Sequence, residues 1–406
     1  MELTKTKYKQ TEVGLIPEDW DSLDLNELGA TGRPVIKAGP FGSSLKKEFY
    51  VSEGYKIYGQ EQVIKNDAFY GDYFINQERY RKLKSCEVIP GDILISLVGT
   101  FGKILVIPDN ALKGIINPRL LRISVDKTKF HIEYISHFLK STKALDVLES
   151  KLQGGTMGVL NAGILKSFQI PLPPTLTEQK AIATALSDVD DLVANLDKLI
   201  TKKKAIKQGT MQQLLTPPHK GGKRLAGFTG EWVEKKLGDC LKYEQPTKYI
   251  VENSDYEGQS QIPVLTAGKS FLLGYTDEDF GVFNHHPVII FDDFTTSNQF
   301  VNFSFKVKSS AMKMLQPVTE EINIEFMFSI MNQIRFSLGD DHKRRWIAEY
   351  SKIEVFVPEI EEQKAIAQIL TDMDLEIEQL EMKKAKYQDI KQGMMQELLT
   401  GKIRLI

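Results

Sequence analysis

The sequence predicts an α+β chain: two globular segments separated by two long antiparallel coiled-coil helices, arranged as a pseudo-twofold tandem repeat. Three observations predict it. Residues 178–216 and 362–400 align without a gap and share 20 of 39 positions, a self-similarity that marks a duplicated unit. Both copies carry an apolar stripe of heptad spacing. The stretch before each copy is rich in short β-like runs punctuated by Gly and Pro. The duplication reaches upstream, since Gly155, Ser167 and Pro174 align with Gly339, Ser351 and Pro358. Farther back, Ile132-Glu133-Tyr134 matches Ile324-Glu325-Phe326 at a different offset, so the globular parts differ by an insertion. The halves also open alike, with Trp20 before Leu28-Gly29 and Trp232 before Leu237-Gly238.

The first globular segment covers residues 1–174, with a polar arm at 1–19. Within it, residues 91–99 and 103–108 read as neighbouring strands joined by Gly99-Thr100-Phe101-Gly102, and a helix is expected over 132–152. The first spacer helix follows at 175–216, behind Pro171, Pro173 and Pro174, which suit a helix start and not its interior. Its seam is Ile182, Leu186, Val189, Val193, Leu196 and Ile200, spaced 4, 3, 4, 3, 4. Gly209 is expected to interrupt this helix and Pro217-Pro218 to end it. A linker and the second globular segment occupy 217–358, with strands expected at 262–265, 287–291 and 303–307 and a helix near 324–336. The second spacer helix and a tail fill 359–406, with the seam Ile366, Leu370, Met373, Ile377 and Leu380 and a matching interruption at Gly393. About 30 residues per helix gives a rod of roughly 45 Å.

Composition narrows the function. With 42% hydrophobic and 26% charged residues the chain lies in the ordinary globular range. Cys86 and Cys240 form no disulfide framework and no CxxC pair. No apolar run approaches the roughly 18 residues of a membrane span, so a cytoplasmic location without a membrane partner is expected. A net charge of −2 would ordinarily argue against a polyanionic partner. Yet residues 31–170 carry 20 basic and 13 acidic side chains, net +7, while 1–30 carry 3 and 7, and 241–357 carry 11 and 16. The neutral total hides a basic first segment. Arg79, Arg81, Lys82 and Lys84 stand beside Tyr80, and Lys343, Arg344 and Arg345 beside Trp346, as cation and aromatic clusters suited to phosphate and base edges.

Catalytic signatures fail one by one. Gly268-Lys269-Ser270 lacks the upstream glycine of a phosphate loop, which would fall at Pro263. His285-His286 has no ligand partner at metal spacing and suits a loop or core role. Asp292-Asp293 lacks the context of a metal nuclease. Asn117-Pro118-Arg119 lacks the second proline and ring that would hold a flipped base. The chain therefore reads as non-catalytic: a DNA-reading adaptor, with a protein-binding coiled-coil scaffold and a cryptic Asp292-Asp293 nuclease as alternatives.

The order of these parts resembles the specificity subunit of type I restriction-modification systems, usually called HsdS. The resemblance is carried by Gly14-Leu15-Ile16-Pro17-Glu18-Asp19-Trp20, Gly39-Pro40-Phe41-Gly42-Ser43-Ser44-Leu45-Lys46-Lys47, Pro90-Gly91-Asp92-Ile93-Leu94, Ile170-Pro171-Leu172-Pro173-Pro174, Glu178-Gln179-Lys180, Glu362-Gln363-Lys364 and the terminal Leu398–Leu405. It implies two target-recognition domains reading the halves of a split, non-palindromic double-stranded DNA sequence at a spacing set by the helices. It also implies methylation subunits (HsdM, two copies) docked around the helices and restriction/translocase subunits (HsdR). S-adenosylmethionine, ATP and Mg would then reside on those partners, with no cofactor of the chain's own. Candidate DNA contacts are Lys46, Lys47, Arg79, Arg81, Lys82, Lys84, Arg119, Lys269, Lys343, Arg344 and Arg345.

Overall fold

The structure is a computed structural model and describes residues 7–30, 32–97, 103–153, 161–253, 256, 262–266, 270–334 and 345–406. The chain divides into two compact units, Met1–Asn195 with Lys383–Ile406, and Leu196–Met382. The cut falls within both long helices, so each unit holds the start of one helix and the end of the other.

In the first unit, an antiparallel ladder of Asp21–Asp24 with Gln169–Leu172 closes the domain just before the long helix begins. Ile93–Ser96 pairs antiparallel with Ile104–Val106 on one side and Leu120–Ile123 on the other, and Ile36–Ala38 completes that four-stranded sheet. The strand pair expected around residues 93–107 is therefore present; the turn between its strands lies outside the described residues. A second sheet is ordered Tyr50–Val51, Phe74–Ile75, Tyr55–Tyr58, Gly114–Ile116, Glu87–Val88. Ile93–Ser96 and Leu120–Ile123 are buried throughout, because one face of their sheet meets a core built around Trp20 and Phe138 and the other a core built around Tyr58 and Ile115.

The single helix expected over 132–152 is two, Ile132–Leu139 and Thr142–Gln153. Ser141 makes the break: its hydroxyl donates to the Phe138 carbonyl at 2.6 Å and accepts from the Ala144 amide at 3.2 Å. A short side chain bonding to backbone on both sides ends one helix and caps the next.

The second unit repeats the frame and changes the filling. Val233–Lys236 pairs with Glu354–Val357 where the first unit has its closing ladder. Leu241–Glu244, Met312–Pro317, Val288–Asp292 and Asn298–Val301 form an antiparallel sheet in that order. A smaller sheet joins Leu272–Thr276, Ile262–Leu265 and Lys306–Val307. The expected strand at 303–307 is thus only its last two residues, and the helix expected near 324–336 is Ile324–Gln333.

The long helices are Leu176–Leu214 and Ile360–Leu398, 39 residues each, or about 58 Å. Both run straight through the glycines expected to interrupt them. A Cβ added at Gly209 or Gly393 would meet nothing within 4 Å. Glycine weakens a helix interior by about 1 kcal/mol without stopping it, and burial of the seam on either side carries the helix through. Ile182, Leu186, Val189, Leu196, Ile200, Ile366, Leu370 and Ile377 are buried, and Val193, Met373 and Leu380 half-buried.

Candidate nucleic-acid interface and the helix frame

The frame is held by the same contacts made twice. In the first unit Lys391 Nζ donates to Asp190 at 2.5 Å; in the second, Lys207 Nζ donates to Asp374. Asp190 aligns with Asp374 and Lys207 with Lys391 in the repeat, so each helix offers the same acid and the same base to the other. Lys203 adds a bridge to Glu376 at 2.5 Å in the second unit. Along that unit the first helix ascends while its partners on the second descend: Lys203 meets Glu376, Lys207 meets Asp374, and Leu214 and Leu215 share a core with Ile366 and Leu370. The helices pack antiparallel.

The Glu-Gln-Lys repeat now has a physical account. Glu178 is 3% exposed and receives Arg404 through two bonds, at 2.5 and 2.9 Å. Glu362 is 1% exposed and receives Arg224 at 3.1 and 2.7 Å. Each arginine lies just past the end of one long helix and clamps the beginning of the other. Bidentate pairing is the strong geometry for this ion pair, and the bond to Glu178 pushes the Arg404 guanidinium further into its charged form. Arg404 also reaches Asp19 at 3.0 Å, which ties the N-terminal stretch to the tail.

The glutamine does something different. Gln179 accepts from the His131 amide at 2.9 Å and donates to the Pro173 carbonyl at 3.2 Å. Gln363 accepts from the Asn323 amide at 2.9 Å and donates to the Glu321 and Pro358 carbonyls at 2.9 and 2.8 Å. One amide thus bonds the N-terminal end of a domain helix, where amides lack intrahelical partners, and pins the strand leading into the long helix. The lysine is peripheral, since Lys364 bridges the exposed Glu361 at 2.8 Å and Lys180 is exposed.

On the domain surfaces the candidate cations divide. Lys46, Lys47, Arg81 and Arg119 are exposed. Lys46 makes one loose bridge, 3.7 Å to Glu48. Lys82 and Lys84 are exposed but engaged, with Glu78 and Glu87 at 2.6 Å each. Arg79 is half-buried and stacked 3.5 Å from the Phe49 ring centre. Asn76 caps that turn by accepting from the Arg79 amide at 2.9 Å, and Tyr80 stacks on Tyr55 at 3.8 Å. The basic run 79–84 is therefore largely occupied by its own neighbours, with Arg81 pointing its charge to water.

In the second unit Lys269, Lys343 and Arg344 lie outside the described residues. Arg345, expected at a DNA face, is 7% exposed, 4.0 Å from Glu349. It sits in the short helix Arg345–Ala348, whose Trp346 is buried against Phe291. Trp346 anchors the core and draws its neighbour inward, so the aromatic that suggested base contact has a packing role. Asp292 and Asp293 are likewise structural. Asp292 accepts from the Phe294 and Thr295 amides, and Asp293 accepts from the Trp346 amide at 3.0 Å and pairs with Lys313 at 3.2 Å. His285 and His286 occupy an exposed loop. Among the described residues no cluster of three His, Cys, Asp or Glu is placed to hold a metal ion, and no helix is long and apolar enough to cross a membrane.

Comparison with known sequences decides the family. The sequence model described as "Type I restriction modification DNA specificity domain" matches residues 17–208 and 229–390. The chain belongs to the type I restriction-modification specificity family. The specificity subunit of the EcoR124I/EcoR124II enzyme of Escherichia coli is 46% identical over 140 residues, 34% of this chain and 34% of that protein, so the match spans about a third of that relative. The MjaX specificity subunit of Methanocaldococcus jannaschii is 27% identical across 98% of this chain and 97% of its own length. Among solved structures, a type I restriction-modification S subunit from M. genitalium superposes with a TM-score of 0.61 at 16% identity, covering 98% of both chains. A chain from a study of type I complex assembly and conformational transition gives 0.53 at 15%, covering 96% of this chain and 99% of that one. These two structures share the fold of this specificity-family chain.

The family resemblance rests on the order of several motifs and on the duplication; the terminal motif contains Arg404, but its pairing with Glu178, and that of Arg224 with Glu362, is visible only in the fold. Arg224 and Arg404 were legible in principle. Both follow a Leu-Leu-Thr that closes an aligned helix, at Leu214-Leu215-Thr216 and Leu398-Leu399-Thr400, and both precede a leucine. The acid at 190 and 374 and the base at 207 and 391 were likewise visible as identical positions of opposite charge.

Proposed function

We propose that this chain is the sequence-reading, non-catalytic subunit of a type I restriction-modification enzyme, binding a bipartite, non-palindromic DNA target at fixed spacing. The observation that carries the reading is a frame repeated contact for contact around domains that are not alike. Asp190, Lys207, Glu178 and Gln179 have working copies in Asp374, Lys391, Glu362 and Gln363, whereas the domain segment of one half carries net +7 and that of the other net −5. A symmetric holder for dissimilar readers suits two different half-sites, since protein symmetry is mirrored in the site it reads.

On this reading two methylation subunits, HsdM, supply S-adenosylmethionine chemistry and dock around the helices, and restriction subunits, HsdR, supply ATP-driven translocation and cleavage, all in the cytoplasm. Partner subunits then add phosphate contacts that a chain of net charge −2 lacks. The test is selection from random duplexes with the full chain, alone and with its methylation subunits. Enrichment of two short motifs at one constant gap is expected; no bipartite enrichment overturns the reading in favour of a protein-binding scaffold. Insertion of one heptad in both helices, near Leu196 and Leu380, is expected to lengthen the gap, and an unchanged gap excludes the spacer role.

A further inference from the structure

Among the phenylalanines of the described residues Phe41 is the most exposed. Its side chain is 89% exposed, against 57% for Phe294 and 49% for Phe69. A phenylalanine left in water forgoes about 2 kcal/mol of burial, so one held out by a braced loop is available to an apolar partner. The loop carrying it is clamped at both ends. Gly39 lies so close to the next loop that a Cβ there would come within 1.8 Å of the Asn117 carbonyl oxygen, and its amide donates to the Leu120 carbonyl at 3.1 Å. At the far end Leu45 is 6% exposed, sunk into the core around Tyr58. Between the clamps the backbone is turned tightly, with the Ser44 amide donating to the Phe41 carbonyl at 2.8 Å and the Leu45 amide to the Gly42 carbonyl at 3.3 Å. Phe41 is thus presented at the apex of a braced loop and cannot reach the core it would otherwise join.

Exposed cations lie close to Phe41 in sequence and on the adjoining loop, with Glu48 beside Lys46 at 3.7 Å. Lys46 and Lys47 follow directly after the Leu45 clamp, and Arg119 stands on the loop that Gly39 touches, all exposed. The Asn117 side chain fixes the backbone there by accepting from the Arg119 amide at 2.9 Å. An exposed apolar ring with Lys46 and Lys47 just downstream and Arg119 on the adjoining loop matches the chemistry of a duplex groove, in which apolar base steps lie between rows of phosphates.

We propose that Phe41 is a specificity-determining residue that inserts at a base step of the half-site read by the N-terminal domain, with Lys46, Lys47 and Arg119 on the flanking phosphates. The ring is selected for steps that unstack at low cost, so it reads deformability where it makes no hydrogen bond. A braced loop matters because the wedge must hold its position while the step opens. This inference rests on the DNA-reading function proposed above and adds to it the residue and the mode of contact.

The experiment uses the full chain assembled with its methylation subunits and the bipartite duplex selected with the wild-type protein. Phe41→Ala, Phe41→Leu and Phe41→Trp are compared, with 2-aminopurine placed at successive positions of both half-sites. Phe41→Ala is expected to weaken target binding by about 5- to 100-fold, to abolish a fluorescence increase at one step of one half-site, and to leave the other half-site's preferences intact. Phe41→Trp is expected to retain the signal and Phe41→Leu to retain part of it. Unchanged affinity and sequence preference in Phe41→Ala overturns the proposal. So does a loss of assembly with the methylation subunits while the free chain's DNA preference is preserved, which would make Phe41 a protein contact. If the wild-type complex selects no bipartite duplex, the DNA-reading function itself falls.

Discussion

The helix frame and the domains it carries obey different rules. In the frame, 20 of 39 aligned residues are identical between the halves, and several of those identities are explained by one contact made in each unit: Asp190 with Lys391 and Asp374 with Lys207, then Glu178 with Arg404 and Glu362 with Arg224. Each such residue must fit a charged partner on, or just past the end of, the other helix, which leaves it little freedom. The domains share less: Trp20 meets Tyr134 and Trp232 meets Phe326 edge-on, but their sheets differ. A five-stranded second sheet in one half stands where the other has three strands, and the lysine buried in each meets different partners: Lys56 donates to the Phe69 and Gly71 carbonyls, Lys306 pairs with Glu278 at 2.6 Å. The difference separates what must stay the same for assembly from what can vary for recognition.

The clamps break the comparison most severely. Arg404→Ala strands the buried Glu178 carboxylate and is expected to destabilise the first unit by about 3 kcal/mol; Arg224→Ala should do the same to the second through Glu362. Glu178→Ala should cost less than Glu362→Ala, because Arg404 keeps Asp19. Urea unfolding followed by hydrogen exchange in each unit reads all four. Equal costs for the two glutamates would show that Asp19 contributes nothing.

Acid separates the halves next. His137 is buried, lies 3.1 Å from the Ser187 hydroxyl and 4.0 Å from Asp190, and has Lys140 and Lys391 nearby. Burial above all, with the positive charge of Lys140, pushes its pKa down to about 4. The folded state keeps the ring neutral while the unfolded state takes up a proton below about 6.5, so stability falls as pH drops from about 6.5 to 4, by on the order of 3 kcal/mol. Ser329 occupies the aligned position in the other half. The first unit should therefore open first in acid, and His137→Gln should flatten that dependence. Simultaneous opening of both units would refute it.

Smaller effects follow. Gln363→Ala is expected to cost about 2 kcal/mol and Gln179→Ala somewhat less, since Gln363 donates to two carbonyls and Gln179 to one; thermal unfolding of the two variants ranks them. Gly209→Ala and Gly393→Ala should each stabilise by about 1 kcal/mol, raising the melting temperature equally, because open space surrounds both sites.

The legible part of this molecule was the part written twice. The seam residues could be read from heptad spacing, and the paired strands around Ile93 and Ile104 from their β-branched runs and flanking glycines. The domains were legible only in class. Ser141 looks like one more polar helix residue until its hydroxyl is seen bonding to backbone on both sides. Arg345 looks like surface charge until Trp346 is seen in the core. Lys82 and Lys84 look like free cations until Glu78 and Glu87 are found beside them. In each case the deciding partner is fixed by the three-dimensional neighbourhood or by a register that charge counting ignores. Phe41 is the converse: the sequence marks it as apolar, and only its braced loop shows that it stays in water.

The clamps also impose an order on synthesis. Glu178 leaves the ribosome 226 residues before its partner Arg404, an interval of roughly 10–45 s at ordinary elongation rates. Arg224 precedes Glu362 by 138 residues, and both lie within one unit. The second unit needs nothing made after residue 382, whereas the first, begun earlier, completes the apolar cluster around Ile182 and Leu186 only when Leu398 and Leu399 arrive. The domain that starts first is the one that finishes last.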